Sequence, residues 1–148
     1  MTHAVRFVAV VAVLTALALC VPVQAQTPET DALRARAEAG DAEAQLSLGF
    51  MYLGAQDDAE AMRWYRRAAD QGYARAQNIL GVMYGNGEGV PQDYVEAHIW
   101  YNLAAAQSSG EDRDRSVRGR DDVAGRMTPD QIAEAQRRAR EWTPTPEP

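Results

Sequence analysis

The chain has 148 residues and a formal net charge of −6, because 21 aspartates and glutamates outnumber 15 arginines, and it contains no lysine. This acidic balance makes nucleic acid and anionic lipid poor partners, since both carry charge of the same sign. The absence of lysine excludes Schiff-base chemistry and serine–lysine catalytic sites.

Residues 1–25 have the pattern of a secretory signal peptide. Arg6 gives a positively charged start, apolar residues with one threonine run from Phe7 to Cys20, and small side chains stand before a predicted cleavage after Ala25. The apolar run is shorter than the roughly 20 residues that a membrane-spanning helix needs, so we expect no membrane span in the mature protein. The sequence therefore predicts a periplasmic or secreted protein.

A lipid anchor on Cys20 is the less favoured alternative to cleavage after Ala25. The bulky Leu19 stands where lipoprotein signals carry a small residue. Cleavage after Ala25 removes the one cysteine and one arginine, which leaves 14 basic residues against 21 acidic ones. The mature chain can then form no disulfide, so its stability has to come from packing.

Residues 26–39 are predicted to form an N-terminal capping helix. Pro28 follows a threonine, and proline is favoured at the first position of a helix. Leu33 and Ala37 occupy positions at which the second helix of each following repeat carries a tyrosine and an alanine. This helix therefore reads as half a repeat that covers one end of a stack.

The next two segments repeat each other, and we call residues 40–71 repeat 1 and residues 72–107 repeat 2. Residues of the first half recur 32 positions later: Gly40, Ala44, Gln45, Leu48, Gly49 and Tyr52. Residues of the second half recur 36 positions later: Ala61, Trp64, Tyr65, Ala68 and Ala69. Spacings of three and four residues place each set on one face of a helix. Each repeat is therefore predicted to be a pair of amphipathic helices, with a longer loop in repeat 2.

The ends of these helices carry recognisable signals. The second helix of each repeat begins with an aspartate and has a glutamate three positions later, Asp57 and Glu60 in repeat 1 and Asp93 and Glu96 in repeat 2, which resembles a capping box. The glycine-rich loop 85–91 lacks the lysine and the hydroxyl of a phosphate-binding loop, and a helix rather than a strand precedes it. We interpret it as a turn that folds the second helix back.

Gly49 and Gly81 lie inside predicted helices, where glycine costs about 0.8 to 1 kcal/mol relative to alanine. Their matching positions indicate that two backbones approach closely there and that the neighbouring tryptophan and tyrosine rings fill the remaining volume. We expect these aromatic rings to form the core and not a ligand cage.

Residues 108–142 are predicted to form C-terminal capping helices. The charged stretch from Gly110 to Arg126 falls where the first helix of a third repeat would stand, and Asp112 and Ser116 replace apolar core residues there. We expect it to present a polar outer surface with salt-bridged charges, or alternatively an edge that docks a partner. A threonine and a proline then begin a last helix, which runs to about Trp142. Residues 143–148 are proline-rich and predicted to be disordered.

The pattern Ala-x3-Leu-Gly-x2-Tyr, a turn, and Ala-x2-Trp-Tyr-x2-Ala-Ala resembles the Sel-one-like repeat, a relative of the tetratricopeptide repeat. Repeat 2 matches throughout, and repeat 1 departs from the pattern only by its short loop, residues 53–56. The resemblance implies an all-α protein, a right-handed α-solenoid of helix–turn–helix repeats with helical caps. It also implies a non-enzymatic protein that binds a protein partner in the cell envelope.

Little in the sequence indicates catalysis. His98 is the single histidine after the signal segment, and it stands where repeat 1 has Met62, so we expect it to be solvated or at a helix end. A nucleophile needs a base nearby, and zinc favours histidine and cysteine ligands. We therefore predict no catalytic residues, no metal site and no cofactor.

Helix-pair solenoids offer a concave groove lined by the first helices of successive repeats. Four residues off the aromatic face are the candidate partner-binding residues: Glu43, Ser47, Arg75 and Asn78. The leading hypothesis is a protein-binding adaptor or scaffold in the cell envelope. The sequence does not indicate its oligomeric state. One alternative is a β-lactam-binding or β-lactam-hydrolysing enzyme, like some cysteine-rich relatives, although this chain lacks their cysteines. Another is a scaffold for envelope polysaccharide assembly.

Overall fold

The computed structural model describes residues 27–147, so the predicted signal peptide with Cys20 and the cleavage after Ala25 lie outside the described residues. The described part of the chain contains helices and no strand. The helices are α1 Pro28–Glu38, α2 Ala42–Gly54, α3 Asp58–Asp70, α4 Ala74–Asn86, α5 Tyr94–Gln107, α6 Gly110–Ala124 and α7 Pro129–Glu141. None of these helices is both long and apolar enough to span a membrane.

The helices stack in chain order. Each of the first five helices packs against the next, and α7 turns back to pack mainly against α5. Repeat 1 contains α2 and α3, and repeat 2 contains α4 and α5. This arrangement is an all-α solenoid with α1 at one end and α6 and α7 at the other.

Side chains at the helix starts hold the helix ends in place. The carboxylate of Asp57 accepts a hydrogen bond from the backbone N–H of Glu60 at 3.1 Å, and the carboxylate of Asp93 does the same for Glu96 at 3.0 Å. The two glutamate side chains do not complete a capping box, because they pair with Arg63 and Arg138. By contrast α1 and α7 both begin with a reciprocal capping box and a proline.

The two helical glycines lie against tyrosine rings. A Cβ atom on Gly49 would be 2.3 Å from Tyr65 Cε1, and one on Gly81 would be 2.7 Å from Tyr101 Cδ1. Only glycine leaves room for the ring at this distance. The predicted close approach is confirmed, but the neighbour is a ring instead of a second backbone.

A buried glutamine links each repeat to the helix before it. The side-chain amide of Gln45 donates to the carbonyl of Ala37 at 3.0 Å, and that of Gln77 donates to the carbonyl of Ala69 at 3.1 Å. Gln71 and Gln107 donate in turn to the Oε1 atoms of these two glutamines. Both glutamines are fully buried. A buried amide group without a hydrogen-bond partner destabilises the folded state, so these bonds stabilise the fold.

Three expectations from the sequence are wrong. His98 is 2% exposed, because α6 covers the face of α5 that carries it, and it is neither solvated nor at a helix end. Ser116 is 1% exposed and accepts a hydrogen bond from Asn78, so it faces α4 instead of forming an outer surface.

The third wrong expectation concerns the proline-rich segment. Residues 143–147, which we call the strap, lie against the repeats and are not disordered. The backbone N–H of Thr145 donates to the carbonyl of Asp70 at 2.8 Å, and the carboxylate of Glu147 accepts hydrogen bonds from Arg67 and Gln45. The polar partners for this strap come from repeat 1, far away in sequence, so a local composition rule could not reveal them.

Candidate functional site

Exposed apolar side chains occur at matching positions of the two repeats. Phe50 on α2 is 46% exposed and Val82 on α4 is 37% exposed. The ring of Phe50 packs edge-on against Tyr65 with the centroids 5.5 Å apart, which fixes its direction while nearly half of it faces solvent. A large aromatic side chain held in this way is a typical anchor for a protein partner.

A cleft of about 160 Å³ lies beside Phe50, between α2, α4 and α6. Its walls include Phe50, Arg75, Asn78, Ile79, Asp112 and Arg115. A cavity of about 150 Å³ can hold a benzene ring, whereas drug-sized ligands occupy about 300 Å³ or more. The cleft therefore has the size for one apolar side chain of a partner and not for a cofactor.

Polar bonds fix one wall of the cleft. The side-chain amide of Asn78 donates to the hydroxyl of Ser116 at 2.9 Å, and that hydroxyl donates to the carbonyl of Asp112 at 3.0 Å. The carboxylate of Asp112 pairs with Arg115 at 2.9 Å. These bonds join α4 to the cap, so the cleft exists only where repeat 2 meets α6.

The structure brings two of the four predicted binding residues together. Arg75 and Asn78 both line the cleft. Glu43 and Ser47 lie on α2 outside it, and the hydroxyl of Ser47 donates to the carbonyl of Glu43 at 2.9 Å. Arg75 is exposed and forms no ion pair with any residue between 27 and 147, so its charge is available to a partner.

Sequence reasoning missed Phe50 and Val82. Both are apolar, both stand off the core face, and they are 32 positions apart, as are the repeated core residues. Alignment of the repeats could have shown them as a matching pair of apolar surface residues. Ile79 and Ser116 could not have been found in this way, because their place in the cleft depends on α6.

A second, more open groove of about 610 Å³ lies between α3, α5 and α7. The guanidinium of Arg66 lies 4.9 Å from the ring centroid of Trp100 and also bonds the hydroxyl of Tyr84. Trp142 meets Trp100 edge-on at 6.5 Å between centroids, and Arg138 pairs with Glu96. These charges and rings therefore pair with one another along the groove.

The titratable groups of the core show no catalytic arrangement. Burial, together with the nearby Arg120, lowers the pKa of His98, so its imidazole is neutral near pH 7. Burial raises the pKa of Tyr65 to about 12. No three histidine, cysteine, aspartate or glutamate side chains of the described segment are grouped to hold a metal ion. What the site offers is a shaped surface with an aromatic anchor and a free cation.

The stacked helix pairs place the protein in the class of α-solenoids built from helix–turn–helix repeats. A family model described as the Sel1 repeat matches residues 42–73 and 74–109. The chain thus carries two Sel1 repeats, which confirms the resemblance and the fold class expected from the sequence.

Two solved structures share this fold. The first is c5321, a protective antigen present in uropathogenic Escherichia coli strains that displays an SLR fold; its TM-score is 0.70 at 29% identity, over 76% of this chain and 24% of that chain. The second is a Sel1 repeat protein from Oxalobacter formigenes, with a TM-score of 0.52 at 29% identity, over 78% of this chain and 100% of that chain.

Curated relatives include the chitin synthase regulator SKT5 of Malassezia restricta, which is 47% identical over 49 residues, 33% of this chain and 3% of that protein. The chain spans at most 10% of the length of the curated relatives that it matches. Sel1 repeats generally mediate protein–protein interaction.

Proposed function

We propose that the protein is an exported, non-enzymatic adaptor of the cell envelope that holds a segment of a partner protein against the cleft between α2, α4 and α6. Support for export comes from the signal-peptide pattern of residues 1–25. Support for the mode of binding comes from Phe50, an aromatic ring that is fixed by Tyr65 and still half exposed.

The chemistry of the cleft defines the segment that fits it. Phe50 and Ile79 offer an apolar contact for one side chain, and Arg75 offers an unpaired cation at the rim. A helix or extended segment with an apolar anchor next to an aspartate or glutamate matches both features. Because two repeats make a short groove, we expect an affinity in the micromolar range, about −8 kcal/mol.

The same geometry gives no support to an enzyme. The hydroxyls of Ser47 and Ser116 both donate to backbone carbonyls of their own helices. The buried Nδ1 atom of His98 has no hydrogen-bond partner among the described residues. A serine nucleophile needs a base that accepts its proton. We therefore favour binding over hydrolysis of a β-lactam.

A photo-crosslinking side chain in place of Val82 tests this proposal in intact cells. We expect it to capture a protein in the envelope fraction, and we expect Phe50→Ser to lower the capture about tenfold, the effect of losing about 1.4 kcal/mol. Leu53→Ser is the matched control, because Leu53 lies on the same helix, is 38% exposed and does not line the cleft.

Three results would contradict the proposal. Capture that is equal in the Phe50 and Leu53 variants would show that the cleft is not the binding site. Attachment to a glycan alone would favour the polysaccharide scaffold. Recovery of the full-length chain with an intact segment 1–25 in the cytoplasmic fraction would exclude export.

A further inference from the structure

The strap ends in an anchored carboxylate. The Nε atom of Arg67 donates to Glu147 Oε1 at 2.7 Å, its Nη2 atom donates to Oε2, and the amide of Gln45 donates to Oε2 at 3.0 Å. These bonds hold the pKa of Glu147 below its usual range. A fork of two guanidinium N–H groups with a third donor is a specific receptor for a carboxylate.

The receptor groups are held in place by contacts that do not involve the strap. The guanidinium of Arg67 lies 4.7 Å from the ring centroid of Trp64. Gln45 donates to the carbonyl of Ala37 and accepts from Gln71. The carboxylate site is therefore formed in advance, and preorganised sites bind with a smaller entropic cost.

The backbone of the strap fits a binding site for an extended peptide. The backbone N–H of Thr145 donates to the carbonyl of Asp70. Asp70 is the last residue of α3, so its carbonyl accepts no hydrogen bond within that helix. Pro144 and Pro146 have no N–H groups, so the one donor between them is the one that is used. Alternate prolines also favour the extended polyproline conformation that peptide grooves bind.

Two features indicate that the strap can leave. Residues 143–146 are exposed, and the strap is held by one backbone hydrogen bond and one carboxylate. Segments with so few buried contacts open locally without unfolding of the whole protein. Gly40 leaves room for the strap, because a Cβ atom there would lie 3.3 Å from the Cβ atom of Glu147.

The site belongs to repeat 1 alone. Repeat 2 keeps the buried glutamine as Gln77, but Leu103 stands at the position of Arg67. The carboxylate receptor is thus not a by-product of the shared repeat pattern. It is a feature of repeat 1 that fits a carboxylate.

We propose that Gln45, Arg67 and the carbonyl of Asp70 form a binding site for an extended, proline-containing segment with a glutamate from a partner protein, and that the strap occupies this site in cis until such a segment replaces it. The site shares no residue with the cleft at Phe50. The protein therefore has two interaction surfaces, and the strap controls access to one of them.

A labelled peptide with the sequence Thr-Pro-Thr-Pro-Glu-Pro serves as the probe in a fluorescence anisotropy titration of the whole protein. We expect Glu147→Ala to bind the peptide at least about tenfold more tightly than the unaltered protein, because the tethered strap competes at an effective concentration of about millimolar. In the Glu147→Ala background, Arg67→Leu should remove this binding. Arg63→Leu, one turn away on the same helix, should leave it unchanged.

A second peptide, in which glutamine replaces the glutamate, makes the test independent of how any variant folds. We expect it to bind the Glu147→Ala protein about tenfold more weakly than the first peptide, since the Arg67 fork prefers a charged carboxylate. Equal binding of both peptides, equal binding by the unaltered and Glu147→Ala proteins, or no binding by either protein would overturn the proposal. A Phe50→Ser variant with unchanged peptide affinity would separate this site from the cleft.

Discussion

In repeat 1 the ring of Tyr65 lies against Gly49, and in repeat 2 the ring of Tyr101 lies against Gly81 at the matching positions. The glutamine bonds to the preceding helix also match. In addition, Arg34 and Arg66 each donate to the hydroxyl of a tyrosine 18 positions later. The interior between helices is thus the same in both repeats.

The two repeats differ where each meets a different neighbour. Tyr101 is confined from a second side by Gly119 of α6, whereas Tyr65 meets the half-exposed Phe50. Arg67 in repeat 1 binds the strap, and Leu103 at the same position in repeat 2 is part of the core with α7. The comparison shows that contacts within the stack keep the repeated residues alike, while the ends of the stack are free to acquire separate roles.

The largest effect should come from filling the space beneath the tyrosine rings. Gly81→Leu and Gly49→Leu should each lower the free energy of unfolding by about 3 kcal/mol or more, because an added side chain overlaps a buried ring. Gly54→Leu is the control, since a Cβ atom there meets nothing within 4 Å and leucine favours a helix. Urea unfolding followed by circular dichroism measures all three. A loss at only one of the two tyrosine sites would show that the repeats do not share their packing.

An intermediate effect should come from the buried glutamines. Gln77→Leu leaves the carbonyl of Ala69 without its donor and should lower the free energy of unfolding by about 1 to 3 kcal/mol. Gln45→Leu should cost somewhat more, because Gln45 also holds Glu147. Replacement of the exposed Gln136 by leucine should change stability by less than about 0.5 kcal/mol. If Gln45→Leu and Gln77→Leu matched this control, the glutamine link between repeats would be unimportant.

The smallest expected effect is a pH dependence of stability that distinguishes repeat 2 from repeat 1. His98 has a folded-state pKa below 6.5, its ordinary value, so below that pH the unfolded chain binds a proton that the folded chain does not. The stability of the unaltered protein should therefore fall as the pH drops below about 6.5. His98→Met restores the residue of repeat 1, Met62, and should remove this part of the pH dependence.

Thermal unfolding between pH 5 and pH 8 checks this expectation. Arg120 and Asp121 of α6 act on His98 in both directions, Arg120 lowering its pKa and Asp121 raising it. Because His98→Met removes this one titratable group, the difference between the two proteins isolates the histidine. Parallel curves for the two proteins would mean that His98 is protonated to the same degree in the folded and the unfolded chain.

Much of the fold followed from local information. The three-and-four spacing predicted the helix pairs, because one turn of helix brings such residues to one face. The aspartates at 57 and 93 and the threonine before Pro129 marked helix starts, because a cap acts on backbone groups only two or three residues away. Of the four candidate binding residues, Arg75 and Asn78 line the cleft and Glu43 and Ser47 do not. That these residues bind a partner stays a prediction.

By itself the sequence determined the repeat, its all-helical class and the places where a helix needs glycine, since these depend on periodicity and on residues close along the chain. Only the tertiary structure decided that His98 and Ser116 are buried, that Phe50 borders a cleft and that the strap binds repeat 1. These outcomes depend on which helix or segment arrives from a distance to cover a face. Gln45 and Glu147 are 102 residues apart, and no local pattern in either could indicate the other.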